Sequence, residues 1–191
     1  PLNSSWLEEL IAPLSGNPRC AAAFARQCPR PDALPLVVKD MNRAFGDGSV
    51  SSKWKHFFSL ASSACSASLL RQYPFDEQLR YSEDTEWSLR IKQHGYSIAY
   101  AANALVEHSH NYSDAGLRRR FYNEGVAERL IHGNATSLLS GFISPFIAES
   151  CRDMLYLFKE HQLRAIPGGL RRRLIQKFST WQGRRSGRWM P

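Results

Sequence analysis

Glu83, Asp84 and Glu86 fall within residues 82–86, just ahead of a helical pattern that ends at Gly95, and His108 and His110 close the same stretch. A carboxylate at a helix start is held ionised by free N–H groups and the helix dipole, so Asp84 can accept a proton from an alcohol as that oxygen attacks an electrophile. A carboxylate of ordinary pKa is a weak base. It serves only when the proton leaves late, after the attacking oxygen has become acidic. The plainer alternative is that the acids only complement a helix N-terminus, where they are favoured in any protein.

His108 and His110 are two residues apart, which on a strand turns both rings to one side, where one of them can hold a divalent metal. Polar residues at a strand's exit into solvent leave the same trace. Zinc asks for three or four protein ligands at spacings such as H-E-x-x-H, and the chain has no such motif. One imidazole together with substrate phosphates suits Mg2+ or Mn2+ better. Trp87 reads either as a core aromatic or as a platform for a sugar ring. The chain has no G-x-x-x-x-G-K-[ST], G-x-G-x-x-G or G-x-S-x-G motif, so P-loop hydrolysis, Rossmann cofactor binding and serine-hydrolase chemistry lack support.

These residues need elements to hold them. The segment "PLNSSWLEELIAPLSGN" predicts an immediate helix, with Ser5 and Glu8 spaced as a capping box and Gly16 and Pro18 as stops. A chain that opens in mid-fold is expected to be a fragment. "RCAAAFARQ" is apolar without helical period and suits a buried strand of a mixed or parallel sheet, placing Arg26 and Gln27 at its end. From "CPRPDALP" to "FGDGSVSS" the turn residues predict a long surface loop. "HFFSLASSACSASLLRQ" predicts a strand that breaks into small residues, then a short helix near Ala67 to Gln72. A helix from about Asp84, stopped by Gly95, precedes two short strands, Ser97 to Tyr100 and Ala104 to His108, parted by "AAN". Three helices follow, the first capped by Ser113 or Asp114, the second opening at Ser144 and Pro145, and the third, basic, after Pro167.

At 191 residues and 43% hydrophobic, the chain can bury a real core. Its formal charge of +8 is concentrated toward the C-terminus, and such a tail seeks an anionic surface. The apolar stretch around "LLSGFISPFI" is broken by polar residues and short of the roughly 20 residues that cross a bilayer. Cys20, Cys28, Cys65 and Cys151 form no C-x-x-C pair and no secretion signal is visible, so reduced thiols and a cytoplasmic location are expected.

Taken in order, "WLEELIAPL", "AAAFARQCPRPDA", "FFSLASSACSASLLRQYPFDE", "SEDTEWSLRIKQHGYSIAYAANALVEHSHNYS" and "RRRFYNEGVAERL" resemble the second half of a family-2 inverting glycosyltransferase with the GT-A fold. The "RQ-P-x-x-DA" loop and "HSHNYS" are most similar to bacterial rhamnosyltransferases of surface-polysaccharide assembly. The resemblance spans about residues 1 to 132 and rests on the order P-F-D-E, E-D, a helix ending in G-Y, then V-x-H. It implies an α/β fold, the C-terminal part of a GT-A domain with a mixed sheet over residues 1–133, and the helical pattern and charge beyond it predict a basic amphipathic helical extension over 134–191. It implies Asp84 as the general base, Glu83 as the residue orienting the acceptor, and His108 as the protein ligand that joins a D-x-D motif in holding Mg2+ or Mn2+. Arg26, Gln27, Trp87 and His110 are candidate substrate contacts.

The implied partners are a nucleotide-sugar donor and a saccharide or lipid-linked acceptor. The D-x-D motif and the nucleoside-binding half are absent from these residues, so transfer by this stretch alone is not expected. Leu60 stands where the family commonly shows Asn. A competing reading is a non-enzymatic basic module that binds nucleic acid or anionic membrane. The tail carries no nucleic-acid reader motif, so no nucleic-acid partner is expected, whereas its apolar residues Phe146, Leu155, Leu157, Phe158, Leu170, Leu174, Ile175, Phe178 and Trp181 suit either contact with the inner membrane face or packing on the catalytic domain or a second copy.

Overall fold

Alanine dominates the central strand and lets helices approach both of its faces. The computed structural model describes residues 1–54, 57–133 and 136–190. The chain divides into two compact units, one of Pro1–Glu77 with Glu83–His110 and one of Gln78–Ser82 with Asn111–Pro191.

In the first unit β1 (Cys20–Cys28) lies between β2 (Ser63–Cys65), antiparallel to it, and β3 (Ser97–Glu107), parallel to it. This is a mixed α/β arrangement. Residues Cys20 to Ala25 are all buried, as befits a strand covered on both faces. On one face Leu10 of α1 (Trp6–Gly16) packs with Ala23, Ala25, Ala101, Ala104 and Val106. On the other, Phe24 gathers Phe45, Phe58, Trp87 and Ile91, the last two from α4 (Glu83–Gln93). Gly95 adopts φ +80 and ends that helix as expected.

Three expectations are corrected. The stretch expected as surface loop contains α2 (Pro35–Phe45), with Pro35 in its first turn and Leu36, Val37 and Phe45 buried. Proline is at home at a helix start, and the three prolines obscured the period that Leu36, Met41 and Phe45 display. Ser5 makes no side-chain cap on α1; its hydroxyl instead receives the Asn3 amide at 3.1 Å. The two short strands are one, β3, whose register jumps from Ala25↔Ala101 to Arg26↔Leu105. The N-terminal residues brace that bulge, since Leu2 N–H donates to Leu105 O (2.8 Å), Leu105 N–H to Asn3 Oδ1 (3.2 Å) and the Asn3 amide to Asn103 O (2.9 Å).

The short helix α3 (Ala67–Gln72) falls where expected, behind a strand reduced to Ser63–Cys65. Part of the expected strand, His56, lies outside the described residues.

The second unit is helical: α5 (Asp114–His132), a π-helical turn Leu139–Ile143 running into α6 (Ser144–Lys159), and α7 (Ile166–Ser186). Ser113 caps α5 by accepting Gly116 N–H at 3.2 Å. α5 and α7 touch backbone to backbone, because a Cβ on Gly125 would stand 2.1 Å from Thr180 O and one on Gly183 1.9 Å from Tyr122 O. Arg173 of α7 forms a buried pair with Asp153 of α6, and it also donates to Gln176 Oε1 at 2.8 Å.

The apolar residues of this unit do not all face outward, for Leu157 is 1% exposed while Ile147, Leu155 and Phe158 stand 55%, 70% and 57% exposed on α6. Among the described residues no helix is long and apolar enough to cross a membrane. Cys20, Cys28, Cys65 and Cys151 are free thiols.

Candidate active site

The end of β1 delivers Gln27 into the interior, 4% exposed. A buried amide must satisfy both its donor and its acceptor, and Gln27 does so across long sequence distances. Its Nε2 donates to Ser59 Oγ at 2.8 Å, and its Oε1 lies 2.8 Å from His108 Nδ1. With the amide nitrogen committed to Ser59, the oxygen accepts from His108 Nδ1–H, which places the lone pair of the neutral ring on Nε2. His108 is held from its backbone too, since its N–H donates to Cys28 O at 2.9 Å.

β3 ends at Glu107, so His108 and His110 lie in the exit loop and not on the strand. Their rings still meet edge to face with centroids 4.7 Å apart. Ser109 between them accepts Arg30 N–H at 3.1 Å, which fastens this loop to the one that follows β1.

Asp84 opens α4. Its Oδ1 accepts the Thr85 N–H at 2.7 Å, and its carboxylate also receives the Leu60 backbone N–H. Burial pushes its pKa up, and the neighbouring Glu83 charge adds to the rise, against the opposing donation from Thr85 and Leu60. Asp84 is therefore a stronger base than the ordinary carboxylate expected from its place at a helix start. Because Leu60 directly follows Ser59, Asp84 and His108 are joined through Leu60, Ser59 and Gln27.

The neighbours divide in their roles. Glu86 is engaged with Arg90 (2.7 Å), whose guanidinium also donates to Pro74 O at 2.7 Å, so this acid serves the helix. Trp87 is 0% exposed, donates its indole N–H to Tyr73 O at 2.8 Å and packs against Phe58 and Phe75. A ring so enclosed offers no face to a sugar, and it is a core residue. Arg26 is half-buried, and its charge acts on Asp47 and Tyr100. Ser59 and the Leu60 N–H are the members that reading the sequence missed: a serine 32 residues from its glutamine partner leaves no local pattern.

Among the described residues no group of three or more His, Cys, Asp and Glu could hold a metal ion. His108 offers one imidazole, which by itself does not make a metal site.

Comparison with known proteins relates the chain to glycosyltransferases. The O-antigen chain rhamnosyltransferase WbaN of Salmonella anatum is 31% identical over 134 residues, covering 65% of this chain and 42% of that protein. The O-antigen chain rhamnosyltransferase RfbN of Salmonella typhimurium is 31% identical over 120 residues, covering 58% of this chain and 38% of that protein. The chain thus spans about two fifths of the length of these curated relatives. No protein-family model matches it, and no solved structure matches it.

Proposed function

We propose that this chain is the acceptor-side part of a family-2 inverting glycosyltransferase with the GT-A fold, transferring a sugar such as rhamnose from a nucleotide-diphosphate donor to a saccharide or lipid-linked acceptor in the cytoplasm. Residues 1–133 form the acceptor-side part of the catalytic domain on this reading, and 134–191 its helical extension. The observation that carries it is the linkage of a base with raised pKa, Asp84, to a histidine of set tautomer, His108, at one end of a mixed sheet.

The chemistry is a single displacement. Asp84 takes the proton of the acceptor hydroxyl while that oxygen bonds to the anomeric carbon, and the bond from that carbon to the diphosphate oxygen breaks on the opposite side. Inversion follows from the one step. Glu83, next in sequence, orients the acceptor. His108 would offer its Nε2 to Mg2+ or Mn2+, an ion that would neutralise charge on the leaving diphosphate. Arg26 and His110 border the substrates, and Gln27 supports His108.

In the full-length protein Asp84→Asn should abolish transfer and leave donor binding nearly intact. Retained turnover in that variant would remove the assignment.

A second reading concerns α6 and α7. The exposed stripe of Ile147, Leu155 and Phe158 accompanies residues 161–191, which hold eight Arg and Lys and no Asp or Glu. Apolar side chains beside an excess of positive charge suit an anionic membrane face, which is where a lipid-linked acceptor would reside.

A further inference from the structure

A cavity of about 520 Å3 lies in the first unit, lined by Phe24, Trp54, Tyr100, Asp47, Ser49 and Lys92 among others. Its size falls in the range of small-molecule sites, roughly 300–1,000 Å3. None of these residues belongs to the Asp84–His108 linkage. Lys92 follows Asp84 by eight residues on α4, a separation of about 12 Å along a helix.

The wall is assembled by the loop after α2. Gly48 takes φ +83, and a Cβ there would stand 3.0 Å from the Tyr100 ring, so the loop rests on that ring in a way only glycine permits. Burial pushes Tyr100 up to about 12, which keeps its hydroxyl protonated. That hydroxyl donates to the Phe45 and Gly46 carbonyls, leaving the ring to act as surface. Ser49 N–H donates to Asp47 Oδ1 at 2.9 Å, and Ser52 N–H to Gly48 O at 2.9 Å, so the turn is internally tied. The Arg43 guanidinium sits 5.8 Å from the Trp54 ring centroid and helps hold the indole.

The lining selects a ligand class. Trp54 and Tyr100, both half-buried, offer ring surface for the C–H face of a compact polyol. Hydrogen bonds from Ser49, with the Arg26 charge in support, hold the Asp47 carboxyl below its ordinary value, so it is an ionised acceptor for hydroxyl groups. Among the lining residues one carboxylate, Asp47, and one ammonium, Lys92, balance in charge. Aromatic rings interspersed with serines and one balanced pair of charges suit a neutral sugar ring.

We propose that this cavity is a saccharide subsite, holding a neutral sugar unit of the acceptor remote from the reacting hydroxyl. The assignment of that sugar to an acceptor rests on the glycosyltransferase reading; the preference for a neutral sugar rests on the lining alone.

Saturation-transfer NMR on the full-length protein tests it, with the methyl glycosides of rhamnose, mannose, glucose and galactose as probes and inorganic pyrophosphate as a competitor. At least one glycoside should receive saturation at its ring C–H protons. Trp54→Ala and Asp47→Asn should each weaken it by about tenfold or more, while Asp84→Asn and pyrophosphate leave it unchanged. Circular dichroism of Asp47→Asn, which keeps the side chain's shape, guards against loss of fold. Absence of transfer to all four glycosides overturns the subsite, as does transfer that persists in both pocket variants or that pyrophosphate or Asp84→Asn removes. If the pocket binds sugar and the full-length protein transfers none, the glycosyltransferase reading fails and the sugar site stands.

Discussion

Gln27 Oε1 lies 2.8 Å from His108 Nδ1, and the same glutamine donates to Ser59 Oγ at 2.8 Å. The side chain is thus a positioning residue that sets which imidazole nitrogen carries the proton. On the proposed glycosyltransferase reading, Gln27→Ala should lower transfer in the full-length protein by about 10–100-fold, the range typical of residues that orient a histidine which binds a metal. It should also change the 15N ring shifts of His108 as the tautomer preference is lost. Unaltered ring shifts would show that the contact is packing alone.

Asp84 has a raised pKa in the folded state, so the fold binds its proton more tightly than the unfolded chain does. Its contribution to stability is complete below the unfolded pKa and is lost as pH rises through the folded one. Asp84→Asn, which removes the buried charge, should therefore unfold at a higher temperature than wild type at pH 7, and the gain should vanish at acid pH. Thermal melts across pH check the sign. An advantage independent of pH would contradict the burial argument.

The α5–α7 crossing depends on glycine. Gly183→Ala places a Cβ against the Tyr122 carbonyl and should cost about 1–3 kcal/mol in urea denaturation. Gly168→Ala, in the same helix with nothing within 4 Å of its Cβ, should instead gain about 0.5–1 kcal/mol. Equal effects at the two sites would show that the close approach is not maintained.

The exposed stripe on α6 carries the membrane reading. Leu155→Glu with Phe158→Glu should abolish flotation with vesicles of mixed phosphatidylcholine and phosphatidylglycerol, since two apolar contacts become repelled charges. Both positions are more than half exposed, so folding should survive. Undiminished flotation would place any lipid contact elsewhere.

Helix punctuation was plain in the sequence: Gly95 ends α4, Ser113 caps α5, and Pro145 and Pro167 stand at the starts of α6 and α7. These signals act over one turn, so adjacent residues suffice to read them. The alanine run of β1 likewise announced a buried strand. α2 was hidden because Pro35 reads as a loop residue until its place in a first helical turn is known. The bulge that makes β3 one strand depends on Leu2 and Asn3, about a hundred residues away, and no local pattern contains it.

The order of Glu83, Asp84 and His108 along the chain, through the resemblance to glycosyltransferases, was enough to suggest a general base, an acceptor-orienting acid and a metal-binding histidine. Their linkage was not, because it runs through Gln27, Ser59 and the Leu60 N–H, three groups with no common period. Nor could composition tell that Trp87 is sealed while Trp54 lines a cavity, since both are tryptophans among polar neighbours. Local letters determine backbone preference and the supply of chemical groups. Burial and hydrogen-bond partnership depend on which segments the folded chain brings together, and here those decided the strength of Asp84 as a base and the tautomer of His108.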